Sequence, residues 1–129
     1  MIEPIKKLVV FDDDEDILFI CKLLFEDLGW EVHTFTECTN AVDIVSRILP
    51  DAVIMDNWLP ETGGVIAIQR LKKNSLVRTI PVMLMTANSE IEKLASIASA
   101  DAYLKKPFDL DVLEQKVNGL LVKDRLCRS

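Results

Sequence analysis

The chain has 129 residues, a formal net charge of −6, a pI of about 4.7 and 50% hydrophobic residues. That length suits one domain around one core, and that hydrophobicity excludes a disordered chain. The acidity argues against holding nucleic acid or an anionic membrane surface by charge.

The stretch from Met1 to Phe11 lacks the long apolar segment and small-residue cleavage site of a signal peptide, and acids come directly after it. No apolar run approaches the roughly 20 residues of a membrane helix. Lys7-Leu8-Val9-Val10-Phe11 reads as a first buried strand, ending abruptly in Asp12-Asp13-Asp14-Glu15-Asp16. Ile17, Leu18, Cys21, Leu24, Phe25 and Leu28 then recur at helical spacing, so a first helix begins inside the acidic run, where its dipole favours carboxylates. Gly29 is its natural stop.

Val32 to Phe35 predict a second strand nearer a sheet edge, with the only histidine, His33, on a strand face and Trp30 packed beside it. Thr39 or Asn40 is expected to cap a second helix carrying Ala41, Val42, Ile44, Val45 and Ile48, ended by Pro50. Ala52 to Met55 are continuously apolar, as in a parallel strand covered on both faces. That third strand ends on Asp56, and Pro60 with Gly63-Gly64 prevents a regular element directly after it. Val65, Ile66, Ile68 and Leu71 mark a third helix closed by Lys72 and Lys73.

Val82 to Met85 form a fourth strand with Thr86 at its end. Ser89 with Glu92 three residues later predicts a capping box for a fourth helix, with Ile91, Leu94, Ala95 and Ala98 inward. Ala102-Tyr103-Leu104 is a short fifth strand running into Lys105-Lys106-Pro107-Phe108. Asp109 is expected to cap a last helix with Leu110, Leu113, Val117, Leu120 and Leu121 on one side, and Lys123 to Ser129 read as a fraying end. Five strands alternating with five helices mean an α/β, doubly wound parallel sheet with right-handed crossovers. One domain is expected over residues 1–129, with its core at about 6–122. Cys21, Cys38 and Cys127 show neither metal-ligand spacing nor a disulfide framework, so free thiols in a reducing cytoplasm are expected.

In such a sheet the carboxyl ends of the strands share one edge, where open α/β folds carry their chemistry. Asp12, Asp13, Asp56, Thr86 and Lys106 are therefore expected to converge. Three carboxylates together repel one another, and a hard divalent cation such as Mg²⁺ resolves that repulsion with carboxylate, water and phosphate oxygens. The Thr86 hydroxyl and the Lys106 ammonium are suitable donors for phosphoryl oxygens, and Asp56 is the expected nucleophile. Taken singly each feature has an ordinary reading, as a helix-dipole partner, a turn residue or a surface corner. Their appearance at successive strand ends is what points to a site.

Several stretches match one family in order. They are Val9-Val10-Phe11-Asp12-Asp13-Asp14-Glu15, Met55-Asp56-Asn57-Trp58-Leu59-Pro60 with Gly64, Met85-Thr86-Ala87, and Tyr103-Leu104-Lys105-Lys106-Pro107-Phe108. The chain resembles the receiver (CheY-like) domain of two-component response regulators from about Lys6 to about Val122. The resemblance implies the flavodoxin-like strand order 2-1-3-4-5. It implies that Asp56 accepts a phosphoryl group from a histidine kinase, a phosphotransfer protein or a small phosphodonor, becoming a 4-aspartylphosphate. Asp13, Asp56 and the backbone carbonyl of Trp58 would bind Mg²⁺, with Asp12 helping through water. Lys106 would hold phosphoryl oxygens, Thr86 would move toward them, and Tyr103 would change rotamer behind it. The output would be a shift between two pre-existing states, read on the face of helix four, strand five and helix five.

The implied protein is a cytoplasmic signalling phosphoacceptor, not an enzyme beyond its own Mg²⁺-dependent phosphorylation and dephosphorylation. Its implied partners are a kinase and a downstream protein or output domain, with a homodimer allowed, and neither nucleic acid nor membrane. With 129 residues there is no room for a DNA-binding output domain, so the chain is a stand-alone regulator or a receiver cut from a longer one.

The sequence departs from the family pattern at Leu59, Gly63 and Ser99, and the span from Thr86 to Tyr103 is about two residues short, which bears on the length of helix four. Trp58 and Asn88 flank the site and are expected to set the phosphoryl lifetime, with Trp58→Ala as the test. Two other readings compete. Asp12-Asp13-Asp14 superficially fits the Asp-x-Asp nucleophile of haloacid-dehalogenase-type phosphatases, but no acidic pair follows Lys106 and Asp56 would have no role. A binding module that never takes phosphate would not need Asp13, Asp56, Thr86 and Lys106 together.

Overall fold

The computed structural model describes residues 4–59 and 62–128, with side chains to residue 121. Five strands, β1 (Lys7–Phe11), β2 (Glu31–Phe35), β3 (Ala52–Asp56), β4 (Val82–Thr86) and β5 (Ala102–Lys105), form one sheet in the order β2-β1-β3-β4-β5. Every pairing is parallel. Five helices cross between and after the strands: α1 (Glu15–Asp27), α2 (Ala41–Ile48), α3 (Gly64–Lys73), α4 (Ile91–Ala98) and α5 (Leu110–Arg128).

The side-chain period of two divides the sheet into two cores. Val9, Phe11, Val53, Met55, Val82 and Leu84 face α2, α3 and α4, whereas Leu8, Val10, Ala52, Ile54, Met83 and Met85 face α1 and α5. Because helices cover both faces, every residue of β3 and β4 is buried, while the edge strands β2 and β5 are only partly so. The continuous apolar runs of the two central strands reflect this double burial. Trp30 is buried edge-on against Phe25, with ring centroids 5.4 Å apart. His33 lies on β2, its Nε2 2.7 Å from Glu31 Oε2.

Helix ends explain several sequence features. Asp14 caps α1 by accepting the Asp16 N–H at 2.9 Å, and Gly29 follows the helix at φ +92°, a conformation that suits a residue without Cβ. Ser99 ends α4 in the left-handed region at φ 63°, which gives the physical reason that glycine suits this position. α4 is short, with eight residues.

Some expectations need correction. The Ser89–Glu92 capping box does not form. The N-cap of α4 is Glu90, without a side-chain cap, and Asn88 Oδ1 instead accepts the Glu90 N–H at 2.8 Å. Asn40 occupies the N-cap of α2 but makes no side-chain cap bond. Leu28, Ile66 and Leu110, expected at helix core positions, are exposed. The expected fraying end is helical through Arg128, because the last segment contains no proline and is rich in strong helix formers. Pro60, Ser129 and the Cys127 side chain lie outside the described residues. Among the described residues no helix is long and apolar enough to cross a membrane.

Candidate functional site

The parallel register brings the strand ends together. Phe11 pairs with Met55, Asp56 with Met85 and Thr86 with Lys105, so Asp12, Asp56, Thr86 and Lys106 emerge within two residues of one another along the same end of the sheet. The Lys106 N–H donates to the Thr86 carbonyl at 2.9 Å, and the Asp12 N–H to that of Phe35 at 3.0 Å, extending the sheet by one residue under the site.

Lys106 Nζ lies 2.8 Å from Asp12 Oδ2 and 3.1 Å from Asp56 Oδ1. Both carboxylates are buried, at 0% and 1% exposure. Their other oxygens are also bonded: Asp12 Oδ1 accepts the Asp14 N–H at 2.9 Å, and Asp56 Oδ2 accepts the Trp58 N–H at 3.2 Å. Asp13 is exposed, yet one of its oxygens lies within 4.8 Å of oxygens of both Asp12 and Asp56.

The electrostatics stem from one ammonium shared between two buried carboxylates with a third beside them. Burial pushes the Asp12 carboxyl above its ordinary 3.8, against the pull of Lys106 and the Asp14 N–H. Burial raises Asp56 in the same way, against Lys106, with the Asp13 charge adding to the rise. For Lys106, burial favours the neutral amine, but the hydrogen bonds to Asp12 and Asp56 outweigh it and the net shift is upward from 10.5. The donor set is entirely hard oxygen with surplus negative charge, and it fits a hard divalent cation better than a soft one.

Thr86 is buried at the end of β4, and its Oγ1 accepts the Asn88 N–H at 3.2 Å. Its hydroxyl is thus engaged with the next loop. Tyr103 pairs in register with Leu84, two residues before Thr86, and packs into the α2–α3–α4 core with Lys116 Nζ 5.5 Å from its ring centroid. The Trp58 side chain is 65% exposed. The acidic cleft beside the cluster is lined by Asp13, Asp14, Glu15, Asp16, Thr36 and Glu37.

Two features are not visible in the sequence pattern. The pattern points Lys106 to phosphoryl oxygens and Asp12 to the metal, but the two are partners of each other. Gly64 has the look of a breaker, yet it is a contact residue: a Cβ there would lie 2.0 Å from the Asp56 carbonyl oxygen. The Gly63-Gly64 pair after the third strand is the available signal, since a backbone that approaches another so closely needs glycine.

The family model for the response regulator receiver domain matches residues 8–118. This chain belongs to the receiver domain family. The receiver is 32% identical over 118 residues to the response regulator SaeR of Staphylococcus aureus (strain USA300), covering 90% of this chain and 50% of SaeR. The chain therefore spans about half the length of the curated relatives it matches. It is similar to the signal receiver domain of a signal transduction histidine kinase from Syntrophus aciditrophicus, at TM-score 0.84 and 28% identity, over 92% of this chain and 91% of that one. The receiver domain of the sensor histidine kinase PA1611 from Pseudomonas aeruginosa PAO1, crystallised with a magnesium ion in its active-site cleft, shares the fold at TM-score 0.83 and 22% identity. It aligns over 92% of this chain and 98% of its own. The strand order expected from the resemblance is the one observed.

Proposed function

We propose that Asp56 is the phosphoacceptor of this receiver, with Lys106, Thr86 and the acidic cluster as its machinery. The observation that carries the reading is a single ammonium, Lys106 Nζ, lodged between the buried carboxylates of Asp12 and Asp56 with the Asp13 carboxylate alongside. An oxygen of ionised Asp56 attacks phosphorus and forms the acyl phosphate O–P bond. The P–N bond of the donor's phosphohistidine breaks, and the departing imidazole keeps its electron pair and is protonated from solvent. Lys106 keeps Asp56 ionised against the cost of burial and then turns its ammonium to a phosphoryl oxygen. The Thr86 hydroxyl would donate to a second phosphoryl oxygen.

Mg²⁺ is the cation that best suits these ligands; Asp13, Asp56 and the Trp58 carbonyl would hold it, with Asp12 assisting through water. When bound it supplies positive charge that offsets the carboxylates and the incoming phosphoryl group. We read the whole of residues 1–129 as one receiver domain. On this reading the protein is a signalling phosphoacceptor of the cytoplasm, partnered by a histidine kinase or phosphotransfer protein and by a downstream protein or output domain. A homodimer is compatible with it. Membership of the receiver family leaves the dehalogenase-type phosphatase reading without support.

The test is intact-protein mass after incubation with acetyl phosphate, with and without Mg²⁺, beside Asp56→Asn. One added phosphoryl group that requires both Mg²⁺ and Asp56 is expected. A gain that persists in Asp56→Asn and disappears in Asp12→Asn would move the acceptor to Asp12, and no gain under any condition would make this a binding module.

A further inference from the structure

β2 is an edge strand, and among the described residues no strand pairs with its outer side. The Glu31 N–H donates to the Lys6 carbonyl at 2.8 Å, and the Phe35 carbonyl accepts the Asp12 N–H at 3.0 Å, so Glu31, His33 and Phe35 are the residues whose backbone bonds face β1. Backbone groups alternate along a strand, and the N–H and C=O of Val32 and Thr34 therefore point to the open edge. Along this edge lies a groove of about 490 Å³, walled by Leu18 and Phe19 of α1, Thr34 and Phe35 of β2 and Ile44 of α2. Phe35 is backed by the ring of Phe11, with centroids 5.4 Å apart. Phe19 is 65% exposed, and so, nearly to the same degree, is Leu23 one helical turn further along α1. Glu15, Thr36 and Glu37 line both this groove and the acidic cleft, so the groove opens at the carboxyl end of β2 onto the carboxylates of Asp13, Asp14, Glu15, Asp16 and Glu37. Lys22 is the one cation in the lining of the two.

Outward backbone groups, an apolar wall and an acidic mouth on one line are the parts of a strand-addition site. In such a site main-chain bonds to the edge give affinity, and side-chain contacts at alternate positions select the occupant. We propose that the outer edge of β2 docks an extended segment of a partner protein, one that places an apolar side chain against Phe19 and lysine or arginine over Glu15 and Glu37. Charge decides the occupant. A second copy of this chain, itself at net charge −6, is repelled, and an acidic or neutral strand leaves the carboxylates at the mouth unanswered. The groove uses the flank of α1 that faces β2. It is separate from the apolar cavity between α1 and the start of α5, which is lined by Ile17, Ile20, Pro107 and Phe108. The proposal does not depend on which aspartate accepts a phosphoryl group.

The experiment is a titration of the isotope-labelled full chain with short blocked peptides, followed by amide chemical shifts and hydrogen exchange at about 0.15 M salt, where exposed charges alone attract weakly. One peptide alternates valine and lysine, a second is the same peptide with N-methylated valines, and a third alternates valine and glutamate. The valine–lysine peptide is expected to shift the amides of Val32 and Thr34 and to slow exchange of the Thr34 amide about tenfold, because that N–H gains a partner. N-methylation keeps the charge and removes pairing donors, and it should weaken binding about tenfold; the glutamate peptide should not bind. Phe19→Ser, at an exposed position that leaves the fold intact, should weaken the valine–lysine peptide about fivefold. Equal binding of the parent and N-methylated peptides, shifts confined to another surface, or no binding of the parent peptide overturns the proposal. Protection of Thr34 that grows with protein concentration in the absence of peptide gives the edge to a second copy and overturns the proposed occupant.

Discussion

The two edges of the sheet use the same side chains to opposite ends. At the amino edge Lys72 Nζ meets one carboxylate, Asp101, and the neutral carbonyls of Ile80 at 3.0 Å and Arg78 at 3.3 Å. Asp101 returns a bond to the Val82 N–H, and Asp51 accepts the Lys7 N–H at 2.8 Å. The Lys72–Asp101 pair is balanced in charge there. At the carboxyl edge Lys106 serves two buried carboxylates while a third stands beside them. A balanced ion pair locks loops together. An unbalanced one holds surplus negative charge in a poorly solvated place, ready for a cation and for chemistry. Yet no buried side-chain N or O atom among the described residues lacks a hydrogen bond, so the imbalance is one of charge and not of bonding.

The largest expected break in this contrast is Gly64→Ala. Its Cβ would overlap the Asp56 carbonyl, so α3 must retreat from the carboxyl edge. We expect a loss of about 3–5 kcal/mol in urea unfolding together with loss of acetyl phosphate labelling. Lys72→Met strikes the balanced edge. It strips Asp101 of its cation and two carbonyls of a donor, and about 2 kcal/mol of stability should go, with labelling of Asp56 retained when assayed well below the melting temperature.

The smallest effect has the opposite sign. Asp12→Asn keeps an oxygen for the Asp14 N–H while removing one of the crowded charges, and in metal-free buffer at pH 7 it should stabilise the protein by about 1 kcal/mol while weakening Mg²⁺ binding. The same crowding gives a pH dependence. Asp12 has a folded-state pKa above 3.8, so the folded protein keeps its proton at pH values where the unfolded chain has lost it. Its contribution to stability is therefore greatest below 3.8 and is lost as pH rises through the raised value. Asp56 behaves alike. Metal-free stability of wild type should decline more on raising pH through that window than stability of Asp12→Asn, and equal slopes would show that Lys106 neutralises the pair completely.

Much of the fold is readable from residues alone where one periodicity dominates. The strands carrying Val53 to Met55 and Val82 to Met85 are unbroken apolar runs, a pattern produced by burial on both faces. The candidate site is legible as a set because polar residues interrupt four such runs at the same end. Legibility fails where two local choices are nearly equal in energy. Ser89 and Asn88 compete for the entry to α4, and the Asn88 side chain takes the Glu90 N–H while the helix begins one residue later. It fails as well at Leu28, Ile66 and Leu110, where helical spacing names a face but not whether a neighbour covers it.

The alternation of strands and helices, and the residues standing at each strand end, were set by the amino-acid order alone, because periodicity and turn chemistry are local. Folding in three dimensions was needed to decide that Lys106 bridges Asp12 and Asp56, that Gly64 must lack a Cβ, and that Asn88 links Thr86 to α4. Those are relations between segments as many as 94 residues apart, and their distances are set by the packing of the sheet and helices and not by any stretch of chain alone.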